Sequence, residues 1–284
     1  PPVCPTLLKS GADVEGFRVP LPLHGFLSRH LGELPFEVDD LQSLCGEDDR
    51  WTNEAAAMDA SQSVGGTSEA QQLRLLADDL LTLLQRERPR LEHLPGFWKA
   101  ELHARTALGL LRYHANMARP DAARKTPDRL ATMLSLRDLM MADNLQAIAE
   151  REREHGPTLV FAHNLHLQRE VSGLWMGEQR MEWWSAGAQL SRRLGTDYAF
   201  IASGMGRATT MGIGDPAHDT PEGQLMQLPD QISLLTRAEL NVRLDAPLTK
   251  RTDFPPQAFP LKPETLSGVD GLLFVKDAML KLSE

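Results

Sequence analysis

No apolar run in this chain approaches the roughly 18–20 residues a membrane-spanning helix needs, so a conventional span is excluded and a membrane partner is not expected. Positive charge is the minority sign. Thirty Lys and Arg face 39 Asp and Glu, a formal net charge of -9. A nucleic-acid footprint needs clustered positive potential, so nucleic acid is not an expected partner. Cysteine is scarce: Cys4 and Cys45 are the whole supply, and neither sits in a CxxC, which removes the metal-knuckle and redox-pair readings. One disulfide stays open beside the plainer reading of two reduced thiols. With no secretory leader pattern at the start, the expected location is cytoplasmic. Three catalytic signatures are also missing. There is no GxGxxG in a strand-to-helix context, no Walker A lysine and no GxSxG elbow, which disfavours dinucleotide binding, P-loop chemistry and a serine hydrolase of the usual α/β kind.

What is present is globular: 284 residues, 42% hydrophobic and 24% charged, a length that allows one domain or two. Up to about residue 70 the chain reads as mostly loop with short elements. Pro20, Pro22 and Pro35, the acidic Glu47-Asp48-Asp49 and the polar run around Gly65-Gly66 punctuate it. Leu73, Leu76, Leu80, Leu83 and Leu84 then predict a helix from Glu69 to about Arg88, stopped by Pro89. A second helix is expected over 97–117 and a third, the longest, from about Asp128 to Glu154. The methionines of this third helix serve either as adaptable core filler or as substrate lining.

Three short apolar runs read as buried strands: Thr158–Ala162, Tyr198–Ala202 and Asp270–Val275, with a helix from about Ser185 to Leu194 between the first two. Strands separated by helical crossovers imply an α/β fold, a parallel-rich sheet covered by helices. Ligand crevices in such sheets lie at the carboxyl ends of strands, which puts His163, Asn164 and His166 at the rim. A histidine there suits proton transfer or charge stabilisation near neutral pH; structural hydrogen bonding and metal binding are the alternatives. His163-x-x-His166 supplies at most two ligands, so no metal and no cofactor are expected. On the third helix Arg137, Met141 and Asn144 share a face. Arg137 could hold a carboxylate or a developing oxyanion, or simply form a surface ion pair. His103 and His114 read as core or surface histidines, and Gly204-Met205-Gly206-Arg207 as a loop beside the pocket.

At these residues the chain resembles the erythromycin esterase family. The likeness rests on Arg137-Asp138-Leu139-Met140-Met141-Ala142-Asp143-Asn144, Val160-Phe161-Ala162-His163-Asn164-Leu165-His166, the Leu194-Gly195 to Tyr198 segment, and Phe274 within Val269 to Val275, together spanning about residues 70–284. It implies a single α/β domain over 1–284, with residues 70–154 as a helical wall or lid over a cleft and 155–284 as the C-terminal part of the sheet core. It also implies hydrolysis of an ester or lactone, of the macrolide kind in the family, by histidine-activated water without a covalent serine step. On that resemblance His163 is the second active-site histidine, with His166 and Arg137 joining it in catalysis and Asn164, Met141 and Asn144 lining the substrate. A non-catalytic small-molecule binder of the same fold is the alternative. The family's other histidine lies in a Gly-Glu-Ser-x-His-Gly motif. That motif is not found here, since His24-Gly25 and His30 lack the preceding glycine and glutamate. Three strands are also few for this much helix, so about 100 further residues are expected before Pro1.

Overall fold

The computed structural model describes residues 20–119, 126–245, 247–254 and 259–278. They divide into two units. One holds the chain up to Thr158 with Trp175–Met181; the other holds Leu159–Leu174 and the chain from Glu182 onward. No helix among the described residues is long and apolar enough to cross a membrane.

The first unit is helical. Helix α1 (Pro20–Leu31) buries Leu23, Phe26 and Leu27, which corrects the reading of this region as mostly loop. Pro20 and Pro22 lie in its first turn, where a missing N–H breaks no intrahelical bond, so these prolines start a helix instead of interrupting one. Helix α2 (Val38–Cys45) opens with a capping box between Glu37 and Asp40. Helix α3 (Ser68–Arg86) is capped by the Thr67 hydroxyl, which accepts the Ala70 N–H at 3.2 Å, and buries Leu73, Leu80 and Leu84 along its predicted stripe. The single-turn α4 (Arg88–Leu91) follows, with Pro89 accommodated in its first turn. Helices α5 (Phe97–Met117) and α6 (Thr126–Glu152) match the expected long helices closely. Leu23, Leu27, Leu41, Leu73, Leu80 and Leu111 belong to one core. Cys45 is a buried thiol in that core, its carbonyl taking the Trp51 indole N–H at 2.8 Å, while Cys4 lies outside the described residues.

His114 is buried here, edge-on to Trp51 and Tyr113, as the core reading expected. Burial pushes its pKa down to about 4. An unfolded chain protonates this ring at about 6.5. Both states are therefore neutral at pH 7. As the pH falls from about 6.5 to about 4, only the unfolded state gains the proton, and stability is lost. The expected loss over that window is about 3 kcal/mol. Urea melts at pH 7 and pH 5 should show about 2 kcal/mol of it, and His114→Gln should flatten the difference.

The second unit carries the sheet. Helix α7 (Asn164–Leu167) is one turn long, and strands β1 (Ser172–Met176) and β2 (Gln179–Trp183) form a two-stranded sheet turning at Gly177, with the hairpin's Trp175–Met181 counted in the helical unit. Helix α8 (Ala186–Leu194), strand β3 (Ile201–Arg207), the short helix α9 (Pro221–Leu225), strand β4 (Ile232–Thr236), helix α10 (Arg237–Arg243) and strand β5 (Gly271–Asp277) follow. The main sheet has the order β3-β5-β4, with β3 parallel and β4 antiparallel to β5. It is mixed, not parallel-rich. Strand direction is a property of the pairing, and the composition of a five-residue run does not carry it.

One face of this sheet packs Ala202, Leu235, Leu272 and Phe274 against Leu225, Leu240 and Leu261. The other stays open, with Ile232 and Leu234 exposed at 60% and 65%. The expected strand at Thr158–Ala162 does not form. These residues have no ladder partner among the described residues, and Leu159 and Phe161 stand 90% and 95% exposed. A strand requires a neighbour to take its N–H and C=O groups, so an apolar run alone does not make one. The Gly204–Arg207 stretch, expected as a loop, belongs to β3. Leu261 and Met226 occupy the space that side chains at Gly204 and Gly206 would need.

Candidate functional site

His163 ends the extended segment and serves as the N-cap of α7. Its Nδ1 accepts the Leu165 backbone N–H at 3.1 Å, a place more often filled by Ser, Thr, Asp or Asn oxygens. This bond sets the tautomer. With Nδ1 accepting, the proton of the neutral ring lies on Nε2, which is left as a donor. The ring of Phe259 packs edge-on at 5.0 Å between centroids. Burial first, then the nearby His166 and Lys262, depress the His163 pKa to about 4. The residue nonetheless keeps an exposed side. Water on that side favours the charged form and opposes the shift, while packing and the Lys262 charge drive it down.

Asn164 works on the strand beside it. Its Nδ2 donates to the Ser203 carbonyl at 2.7 Å and its Oδ1 accepts the Ser203 N–H at 3.0 Å, so the amide completes the edge of β3 as a neighbouring strand would. His166 lies one turn beyond His163 in α7, half-buried. His163, Asn164, Gln168, Phe259, Leu261 and Lys262 line a cavity of about 20 Å³, the room one water needs. Lys262 is tied down, its Nζ donating to the Gly173 carbonyl at 2.8 Å. Phe259 and Lys262 come from far along the chain, and no local pattern marks them beside His163. The sequence reading missed both.

Arg137, Met141 and Asn144 lie on α6 in the helical unit. Arg137 and Asn144 do share a face, as their spacing predicted, and that face is turned to α5. Asn144 Nδ2 reaches Thr106 Oγ1 at 3.3 Å, and the charge of Arg137 acts on Tyr113. Burial lowers the Arg137 pKa, against the opposing pull of Asp138 and Tyr113. Met141 is half-buried, and the neighbouring Met140 fills the space above Gly109 of α5. Among the described residues no three His, Cys, Asp or Glu side chains are grouped to hold a metal ion.

Residues 20–264 match the family model described as erythromycin esterase. The chain belongs to the erythromycin esterase family. A search of curated proteins found no match. Among solved structures, a mutant of the erythromycin esterase EreC in its open conformation is similar, with a TM-score of 0.53 at 16% identity, covering 94% of this chain and 67% of that one. Likeness at that identity speaks for the fold. Family membership supports a hydrolase of the erythromycin esterase fold and leaves substrate and catalytic residues to chemical reasoning.

Proposed function

We propose that this erythromycin esterase family member hydrolyses a carboxylic ester or lactone, a macrolide among the candidate substrates, with His163 acting as a neutral hydrogen-bond donor. The observation that carries this reading is the cap bond from Leu165 to His163 Nδ1, which leaves Nε2–H to meet the oxygen of an ester carbonyl. A ring held neutral suits that task, since it can strengthen its bond as charge develops on the oxygen without first losing a proton. Water adds to the carbonyl carbon, the bond to the leaving oxygen breaks, and that oxygen ends as a hydroxyl. His166, one turn on, is the proposed acceptor of the proton that water releases, and passes it to the leaving oxygen. Asn164, beside His163, is the proposed substrate contact.

The test is run on the purified protein. That protein is incubated with macrolides and simple carboxylic esters, with and without a chelator, and ring opening by water is followed by mass spectrometry. Turnover unchanged by chelation is the expected result. Saturable binding with no product across the panel would replace the hydrolase reading by that of a binder.

A further inference from the structure

Glu222 is fully buried, at 0% exposure, in α9. One carboxyl oxygen, Oε1, accepts the Leu261 backbone N–H at 2.7 Å, while Oε2 has no hydrogen-bond partner among the described residues. Burying a carboxyl with one oxygen bare is costly, and an apolar side chain would fill the space at less expense. The feature that an apolar side chain would lack is the bond to Leu261. That bond matters because of what flanks it. Phe259 and Lys262, on either side of Leu261, are the groups placed against His163. Pro260 has no N–H to donate. The Leu261 side chain packs onto Gly204 of β3, which sets the depth of the segment, and the Glu222 bond sets its position along the sheet.

We propose that Glu222 is a positioning residue, whose carboxyl pins the Phe259–Lys262 segment so that Phe259 and Lys262 stay against His163. The proposal rests on the reading of His163 as the working group of the site. Burial raises the Glu222 pKa, against the pull of the Leu261 N–H, its own N–H and Arg251, with Asp253 adding to the rise. Arg251 does not take the bare oxygen. Its guanidinium is committed to Asp253 and to the carbonyls of Gly206 and Gly214. A carboxyl held towards its neutral form can still accept the Leu261 N–H, so the pin needs an acceptor and does not need a charge.

The experiment is an NMR titration of the histidine rings in the full chain, with the His163 signal identified by its loss in His163→Asn. Glu222→Met keeps the buried volume and removes the acceptor; Glu222→Gln keeps an acceptor without the charge. In Glu222→Met, Phe259 and Lys262 are released, and the His163 pKa should rise from its depressed value towards the ordinary one of about 6.5. In Glu222→Gln it should stay where it is in the parent. With an ester substrate, kcat should fall about tenfold in Glu222→Met with KM little changed, and recover in Glu222→Gln. A folded Glu222→Met whose His163 titrates as in the parent would overturn the proposal, and so would an equal shift in both variants. If the titration moves as expected while hydrolysis does not, the positioning role stands and the catalytic reading of His163 fails. The titration needs no substrate, so the two failures are separable.

Discussion

His163→Asn is expected to lower kcat/KM for ester hydrolysis by about 10²–10³, the usual cost of removing one donor aimed at a developing oxyanion. Asparagine is chosen because its side-chain oxygen can still accept the Leu165 N–H that His163 Nδ1 now accepts. The cap, and with it α7, should survive, and the melting temperature should stay at or above that of the parent. An alanine would remove the donor and the cap together and confuse the two effects. The parent's pH profile carries a second expectation. Activity that depends on neutral His163 should hold through pH 6.5 and fall only towards about 4, where the ring takes a proton on Nδ1 and can no longer accept from Leu165. A kinetic limb near 6.5 that vanishes in His163→Asn would show that the ring titrates normally and works as a base. A loss below about threefold in the folded variant would remove His163 from the mechanism.

Gly187→Ala is expected to be the most damaging single methyl in the sheet unit. Gly187 lies in the first turn of α8, where the helix meets the end of α7, and an added Cβ would fall onto the Leu167 carbonyl. That carbonyl also takes the Tyr198 hydroxyl. The adjacent Ser185 hydroxyl donates to the Gln168 carbonyl at 2.8 Å while accepting the Ala188 N–H that caps α8. Backbone cannot yield as a flexible side chain can. The helix has to move away, and the methyl should cost at least about 3 kcal/mol, the upper end for overpacking. Urea unfolding against Gln189→Ala, a change at a half-buried position of the same helix, isolates the steric effect. Hydrolysis should fall with it, since displacing α8 loosens the turn that begins at His163. A Gly187→Ala protein as stable as the Gln189→Ala control would mean that α8 and α7 do not meet as closely as described.

Much of the helical unit was legible because an apolar stripe every three or four residues is a local signal that tertiary packing reinforces. Leu73, Leu80 and Leu84 are buried as their spacing predicts, and α5 and α6 run close to their expected bounds. The errors fell where a residue has two uses. Pro20 and Pro22 serve equally to break a helix and to begin one, and only the burial of Leu23 and Leu27 behind them decides between the two. Gly204 and Gly206 suggested a loop because closely spaced glycines permit tight turns. They lie in β3 because Leu261 and Met226 come too close for any side chain.

The same division runs through the site. His163, Asn164 and His166 could be singled out from sequence because three polar side chains follow an apolar run within a few residues, and local order is what a sequence records. Arg137 and Asn144 were placed on one helix face by spacing alone, and Asn144 meets α5 on that face. The sequence did not contain the direction of β4, the lack of a ladder partner for Leu159–Ala162 among the described residues, the tautomer of His163 or the approach of Phe259, Lys262 and Glu222. Each of these depends on groups distant in the chain that meet only after folding. Strand direction needs a partner strand, a proton's place on imidazole needs a donor at Nδ1, and a pKa needs the surroundings that exclude water. Sequence determined which chemistry was at hand; the tertiary structure decided its protonation and its neighbours, because those energies arise from contacts made across the fold.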